Sequence, residues 1–232
     1  MRKKFVMANI VTLALILIFD VWYMFGGGLF AKSIASIMFV GAGIVNYLYC
    51  AKNEVDLKFP RWMLVALTCA MLADIILVLN FYLGVAVFAL GHVFYFVSYC
   101  MLGKINRKDL LCGVGIFTFA LSVIQFAPFL DFGSGFMKNV CCAYALIISF
   151  MVGKAISNLL EEKNATNITI VVGSILFVIS DLMLMLDKFG SIPGTNYLCL
   201  GTYYPGQFIL AFSLFKHATI NRLNYNKNAK VS

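Results

Sequence analysis

The sequence predicts an all-α fold: a polytopic membrane bundle of about eight transmembrane helices, forming one integral membrane domain over residues 1–232. Three observations carry this. Hydrophobic residues make up 62% of the chain and charged residues 12%, against roughly 45–50% and about 25% in soluble domains. Mean hydropathy is +0.92. The apolar residues also fall into eight runs, each near the roughly 17–25 residues that a helix needs to cross a bilayer. A single core cannot enclose that much apolar surface, so lipid must solvate most of it. Soluble-enzyme, disordered and coiled-coil classes fall at this step.

The runs are Phe5–Phe25, Ser33–Ala51, Trp62–Asn80, Leu83–Leu102, Leu110–Leu130, Phe136–Ser157, Ile168–Leu186 and Tyr197–Lys216. The first follows Arg2, Lys3 and Lys4 but contains Asp20 and lacks a small-x-small cleavage site. It reads as a retained span, not a signal peptide. An even number of spans puts both termini on one side. Fifteen of the eighteen Lys and Arg then fall on that side, with only Lys32, Lys138 and Lys188 opposite. By the positive-inside rule both termini are expected in the cytoplasm.

The net charge of +8 sits in clusters between spans and is not interleaved with aromatics as a nucleic-acid surface would require. No nucleic-acid partner is expected. The seven cysteines are odd in number and lie mostly within apolar runs. Their spacing matches neither a zinc site nor a disulfide framework, so they read as small buried hydrophobes. Walker A, HExxH and GxSxG motifs are absent from the sequence, which removes support for nucleotide-driven and serine-hydrolase readings.

A weak internal repeat runs beneath the spans. Ala73-Asp74-Ile75-Ile76-Leu77 resembles Ser180-Asp181-Leu182-Met183-Leu184 at an offset of 107 residues. Gly91-His92-Val93-Phe94 resembles Gly206-Gln207-Phe208-Ile209 at 115. The halves would be 1–103 and 104–232, parallel because each holds an even number of spans.

Asp74 and Asp181 carry the chemical signal. An Asp within a spanning helix costs roughly 2.5–3.5 kcal/mol on insertion scales, and two such residues call for a function. Two carboxyls whose proton affinities are split hold an acid and a base in one site; the alternative is interhelical hydrogen bonding alone. On the fourth span, Gly84, Phe88, His92, Tyr95 and Tyr99 recur at steps of three and four, so one helix face carries an imidazole and two phenols. Gln207 has a donor and an acceptor to satisfy and must face protein or water. Tyr203 and Tyr204 lie beside it. Asp20, near the outer end of the first span, is expected to be solvated. Lys32 opens the second span where it would attract an anionic head group.

These residues resemble the YhhN-type lysoplasmalogenases, small membrane proteins with about eight spans. The most specific stretches are the run Gly173–Leu182 continuing to Lys188-Phe189, and Thr202-Tyr203-Tyr204-Pro205-Gly206-Gln207. Ala73-Asp74 and His92-Val93-Phe94-Tyr95 fill the earlier motifs, and Lys32 and Tyr144 match more weakly. The chain departs from the family pattern at Ala73, where Gly is usual, at Ser33-Ile34, where Pro is usual, and at Pro205. The resemblance implies hydrolysis of the sn-1 vinyl-ether bond of a lysoplasmalogen to a fatty aldehyde and glycerophosphocholine or glycerophosphoethanolamine. It implies Asp74 and Asp181 as the catalytic carboxyls, in either assignment of acid and base. Lys32, His92, Tyr95, Tyr144, Ser180, Tyr203, Tyr204 and Gln207 would bind or support substrate, with Lys32 meeting the phosphate. The partner it implies is a lysophospholipid, with no cofactor and no metal required. Three other classes remain open: a metal-dependent hydrolase with Asp74, His92 and Asp181 as ligands, a proton-coupled transporter, and an intramembrane aspartyl protease.

Overall fold

The computed structural model describes residues 2–228; of the basic residues counted above, Lys230 lies outside them. Eight helices make up the fold: α1 (Arg2–Met24), α2 (Gly28–Lys52), α3 (Lys58–Leu79), α4 (Phe81–Cys100), α5 (Arg107–Phe126), α6 (Gly135–Glu161), α7 (Ala165–Phe189) and α8 (Thr195–Asn228). No strand occurs among the described residues. All eight are long and apolar enough to cross a membrane.

Most helices extend beyond the apolar runs because their ends are polar. Asn106 caps α5 through the amides of Lys108 and Asp109, and Asp109 returns a bond to the Asn106 amide. Ser134 and Asn164 cap α6 and α7 in the same sense, satisfying amides that a helix start otherwise leaves free. The fifth run overshot furthest: α5 stops at Phe126 and not Leu130. Pro128 follows, and the residue before a proline is pushed out of helical geometry; Ala127 is extended. The turn from α1 to α2 needs two glycines, since Gly26 and Gly28 take φ of 103° and 57°, where a side chain would be strained.

Packing places six helices in a closed ring. In order it runs α2, α3, α4, α6, α7, α8 and back to α2. Two helices lie outside it: α1 packs on both α2 and α8, whereas α5 packs on α6 alone. The tightest approaches are at glycines. A methyl at Gly84 would stand 2.5 Å from the Leu77 backbone on α3, and one at Gly153 of α6 would stand 2.5 Å from the Gly113 amide nitrogen on α5. Such contacts let backbones approach where lipid gives no hydrophobic drive to associate. The cysteines are all free thiols.

At the end carrying the termini, Lys154 is fully buried and donates to Asp109 Oδ2 at 3.0 Å and to the Lys104 carbonyl at 2.7 Å. Together with the Gly113–Gly153 contact this fixes α5 to α6. Gly153→Ala is expected to wedge the two apart and cost about 1–3 kcal/mol. Thermal unfolding in detergent would show a lowered Tm, while Gly115→Ala, which meets open space, leaves it unchanged.

Candidate active site

Each intramembrane aspartate is held by side chains from two other helices of the ring. Asp74 of α3 is buried, and its Oδ2 accepts from Ser36 Oγ of α2 at 2.6 Å and from the Tyr203 hydroxyl of α8 at 2.9 Å. Its Oδ1 lies 3.8 Å from Lys32 Nζ. Lys32 and Ser36 are four residues apart on α2 and so share a face. The Lys32 ammonium, buried with its stem, sits 5.5 Å from the centre of the Tyr23 ring. Tyr204 closes this side, with its hydroxyl 3.4 Å from the Lys32 carbonyl and 3.5 Å from Ser36 Oγ.

Asp181 of α7 is less enclosed. Its Oδ2 accepts from the Tyr144 hydroxyl of α6 at 2.8 Å and lies 3.3 Å from His92 Nε2 of α4. His92 Nε2 also lies 2.8 Å from the Tyr144 oxygen, so imidazole, phenol and carboxylate form a triangle. His92 Nδ1 faces the Met151 thioether at 3.3 Å, a weak acceptor. That favours the tautomer with the proton on Nε2, directed at Tyr144 and Asp181. Phe88, Phe177 and Tyr203 form an aromatic wall beside the two aspartates: Phe177 lies 4.6 Å from His92 and 5.4 Å from Tyr203, ring centre to ring centre.

The expected helix faces meet as the three- and four-residue steps imply. The Tyr95 hydroxyl donates to Gln207 Oε1 at 2.6 Å, and the Tyr99 hydroxyl meets Ser174 Oγ at 2.9 Å. Gln207 Nε2 is buried without a partner. Ser180 points elsewhere, toward Cys199 Sγ at 3.4 Å. Lys32 is the main surprise: its ammonium serves Asp74 from within the bundle instead of waiting at the surface for an anion. Asp20 is also buried, not solvated, on a helix that packs on α2 and α8, and its Oδ1 has no partner. Ser36 and Phe177 went unnoticed in the sequence. The four-residue spacing from Lys32 was the one available signal for Ser36.

An apolar cleft of about 180 Å³ runs between α4, α5, α6 and α7, lined by residues such as Phe88, Ile116, Phe119 and Ile148. Tyr144 and Asp181 form its polar spot. The three donors of the metal-hydrolase alternative do not gather. Among the described residues no three His, Cys, Asp or Glu side chains are spaced to hold a metal ion.

With this geometry in view, comparison with known proteins is decisive for the family: residues 32–214 match the YhhN family. The chain belongs to the YhhN family. The match takes in α2 to most of α8, including both aspartates, and leaves α1 with Asp20 outside. Among curated relatives, Lysoplasmalogenase TMEM86A of Bos taurus is 30% identical over 134 residues, covering 56% of this chain and 53% of the relative. Lysoplasmalogenase TMEM86A of Homo sapiens is 29% identical over the same length and shares. The matched segment thus spans about half the length of these relatives. No solved structure matches the chain.

The Lys32–Asp74 pair makes a stability prediction independent of activity. Lys32→Met strands a buried carboxylate and should cost about 3 kcal/mol. Adding Asp74→Asn should recover most of that loss. Chemical unfolding of the two single variants and the double variant measures the coupling.

Proposed function

We propose that this YhhN-family membrane protein is a hydrolase that cleaves the sn-1 vinyl-ether bond of a lysoplasmalogen. The products are a fatty aldehyde and glycerophosphocholine or glycerophosphoethanolamine. One observation carries the reading: an apolar cleft that could receive an alkenyl chain ends on a carboxyl whose two partners, Tyr144 and His92, both carry protons. The two relatives, both named as lysoplasmalogenases, support it.

The reaction needs a proton on carbon. Asp181 protonates the β-carbon of the enol ether, which leaves an oxocarbenium ion at the carbon bearing oxygen. Water adds there, and the Asp181 carboxylate accepts the proton that water gives up, so the acid is restored. The hemiacetal then collapses as its hydroxyl proton passes to the departing glycerol oxygen. This is the acid-then-base logic of glycoside cleavage. Asp74, held by Ser36, Tyr203 and Lys32, supplies fixed negative charge that favours the cation in a low-dielectric setting. Tyr144 and His92 orient Asp181, and the aromatic wall keeps bulk water from the ion. Tyr95 and Gln207 brace α4 against α8 behind the site.

We also read the two halves as parallel repeats. The offsets of 107 and 115 residues relate Asp74 to Asp181 and His92 to Gln207. The same offsets relate two close packings: a methyl at Gly206 of α8 would stand 3.3 Å from the Gly173 carbonyl of α7, and one at Gly91 of α4 would stand 3.7 Å from the Ala66 carbonyl of α3. The basic clusters support cytoplasmic termini, which would put both carboxyls in the outer half of the membrane.

The decisive assay is aldehyde release by purified protein from a lysoplasmenyl lipid beside its saturated alkyl-ether analogue. Only the alkenyl lipid should react. Asp181→Asn and Asp74→Asn should each lower the rate by at least about 10²-fold, with Tyr144→Phe falling between them and wild type. Activity should persist in a chelator; its loss would favour the metal-dependent alternative. A folded wild-type protein that releases no aldehyde from either head group would overturn the proposal.

A further inference from the structure

A second space adjoins the apolar cleft. At the end of the bundle opposite the termini, a second cavity of about 450 Å³ is lined by Phe81, Tyr82, Gly133, Ser134, Lys188 and Phe189, among others. Phe81, Met137 and Phe189 line both spaces, so the second is a vestibule of the first. Cleft and vestibule together fall within the roughly 300–1,000 Å³ of small-molecule sites. The two differ in character. The cleft offers hydrocarbon walls and Asp181, whereas the vestibule offers a phenol, a hydroxyl, loop backbone and one cation.

That cation is Lys188. It is half exposed, and its neighbour in the structure is Asp187 at 3.5 Å. An exposed pair of this kind is weak and yields to a stronger anion. Lys188 follows Asp181 by seven residues, which is two helical turns and about 10 Å along α7. Two whole turns put Lys188 and Asp181 on one face of α7, with Asp181 lining the cleft and Lys188 the vestibule. In a lysophospholipid, glycerol separates the sn-1 oxygen from phosphorus by roughly 6 Å at standard bond lengths. A lipid with its enol ether at Asp181 therefore brings its phosphate within reach of Lys188. The first turn of α6, which begins at Ser134 in the same vestibule, adds a favourable dipole for an anion. Lys32 cannot take this part, because it is buried against Asp74.

We propose that Lys188 is the phosphate-binding residue of this site and that the vestibule holds the phosphodiester head group of the lysolipid whose chain enters the cleft. The proposal rests on the hydrolase reading for the identity of the lipid, but not for its test. Direct binding to purified protein in detergent would be measured with a non-hydrolysable alkyl-ether lysophosphoethanolamine, with the corresponding alkylglycerol lacking phosphate, and with inorganic phosphate. Lys188→Gln should weaken the phospholipid about ten-fold, the size of one lost charge-assisted contact, and leave the alkylglycerol unchanged. Lys188→Arg should restore most of the affinity. In turnover, Lys188→Gln should raise KM for the alkenyl phospholipid with little change in kcat.

Equal phospholipid binding by Lys188→Gln and wild type would overturn the proposal, as would an equal loss for the alkylglycerol. Inorganic phosphate bound as tightly as the lysolipid would also overturn it, since the vestibule would then be a site for a free anion. The hydrolase reading fails separately. A Lys188-dependent preference for the phospholipid in a protein that releases no aldehyde would keep the head-group site and discard the vinyl-ether chemistry.

Discussion

A carboxyl inside a bilayer must find its hydrogen-bond partners within the protein, because hydrocarbon offers none, and in this chain that constraint organises the bundle. Asp74 draws Ser36 and Lys32 of α2 and Tyr203 of α8 onto α3. Asp181 draws Tyr144 of α6 and His92 of α4 onto α7. These six helices are the six of the ring. Each aspartate thus joins three consecutive members, and the two triplets together close the circle. Interhelical hydrogen bonds in membranes are individually modest, about 0.6 kcal/mol on average. The arrangement therefore fixes which helix faces meet more than it supplies stability.

The two triplets are built alike but finished differently. Asp74 receives a fixed countercharge from Lys32, and α1 covers its side of the ring by packing on α8. Asp181 receives a phenol and an imidazole, partners that can pass protons, and α5, which occupies the corresponding place in the chain order, stands clear of α4. The cleft lies where that contact is missing. One carboxyl is sealed and charge-balanced while the other meets an apolar opening. This asymmetry is what the proposed chemistry needs, since a proton donor must touch substrate and an electrostatic stabiliser need only be held still.

The sequence made the architecture and the charged centre legible. Eight apolar runs and two mid-span aspartates needed only composition and spacing, and the His92, Tyr95 and Tyr99 face followed from helical steps. The pairing of faces was much harder to read. A helix apolar on all sides carries no stripe to say which side meets protein and which meets lipid. Lys32 shows the consequence: beside an apolar run a lysine reads as an interfacial anchor, and only the approach of α3 turns it inward as an ion-pair partner. Asp20 failed for the same reason, as its burial comes from the packing of α1 on the ring. The helix ends were misplaced by a turn because polar caps fall outside any hydrophobic window, as Asn106 and Ser134 do.

The way α5 is attached bears on how a lipid chain would be admitted. Near the termini it is locked to α6 by the Asp109–Lys154 pair and by the glycine contact of Gly113 with Gly153. Toward the other end, Ile116, Phe119, Ala120, Val123 and Ile124 line the cleft, and no other helix packs on α5 to hold that part in place. Beyond the clamp α5 meets α6 through apolar side chains and the Gln125–Cys142 contact, and the loop after it is tied to α7 by the Asp131 amide, which donates to the Phe189 carbonyl at 2.8 Å. The residues of α5 that line the cleft are all apolar, so adjustment to a chain there exchanges one hydrocarbon contact for another. The carboxyl that would do the chemistry belongs to α7, which the ring fixes through α6 and α8. Compliance of the cleft and rigidity of the acid are thereby assigned to different helices.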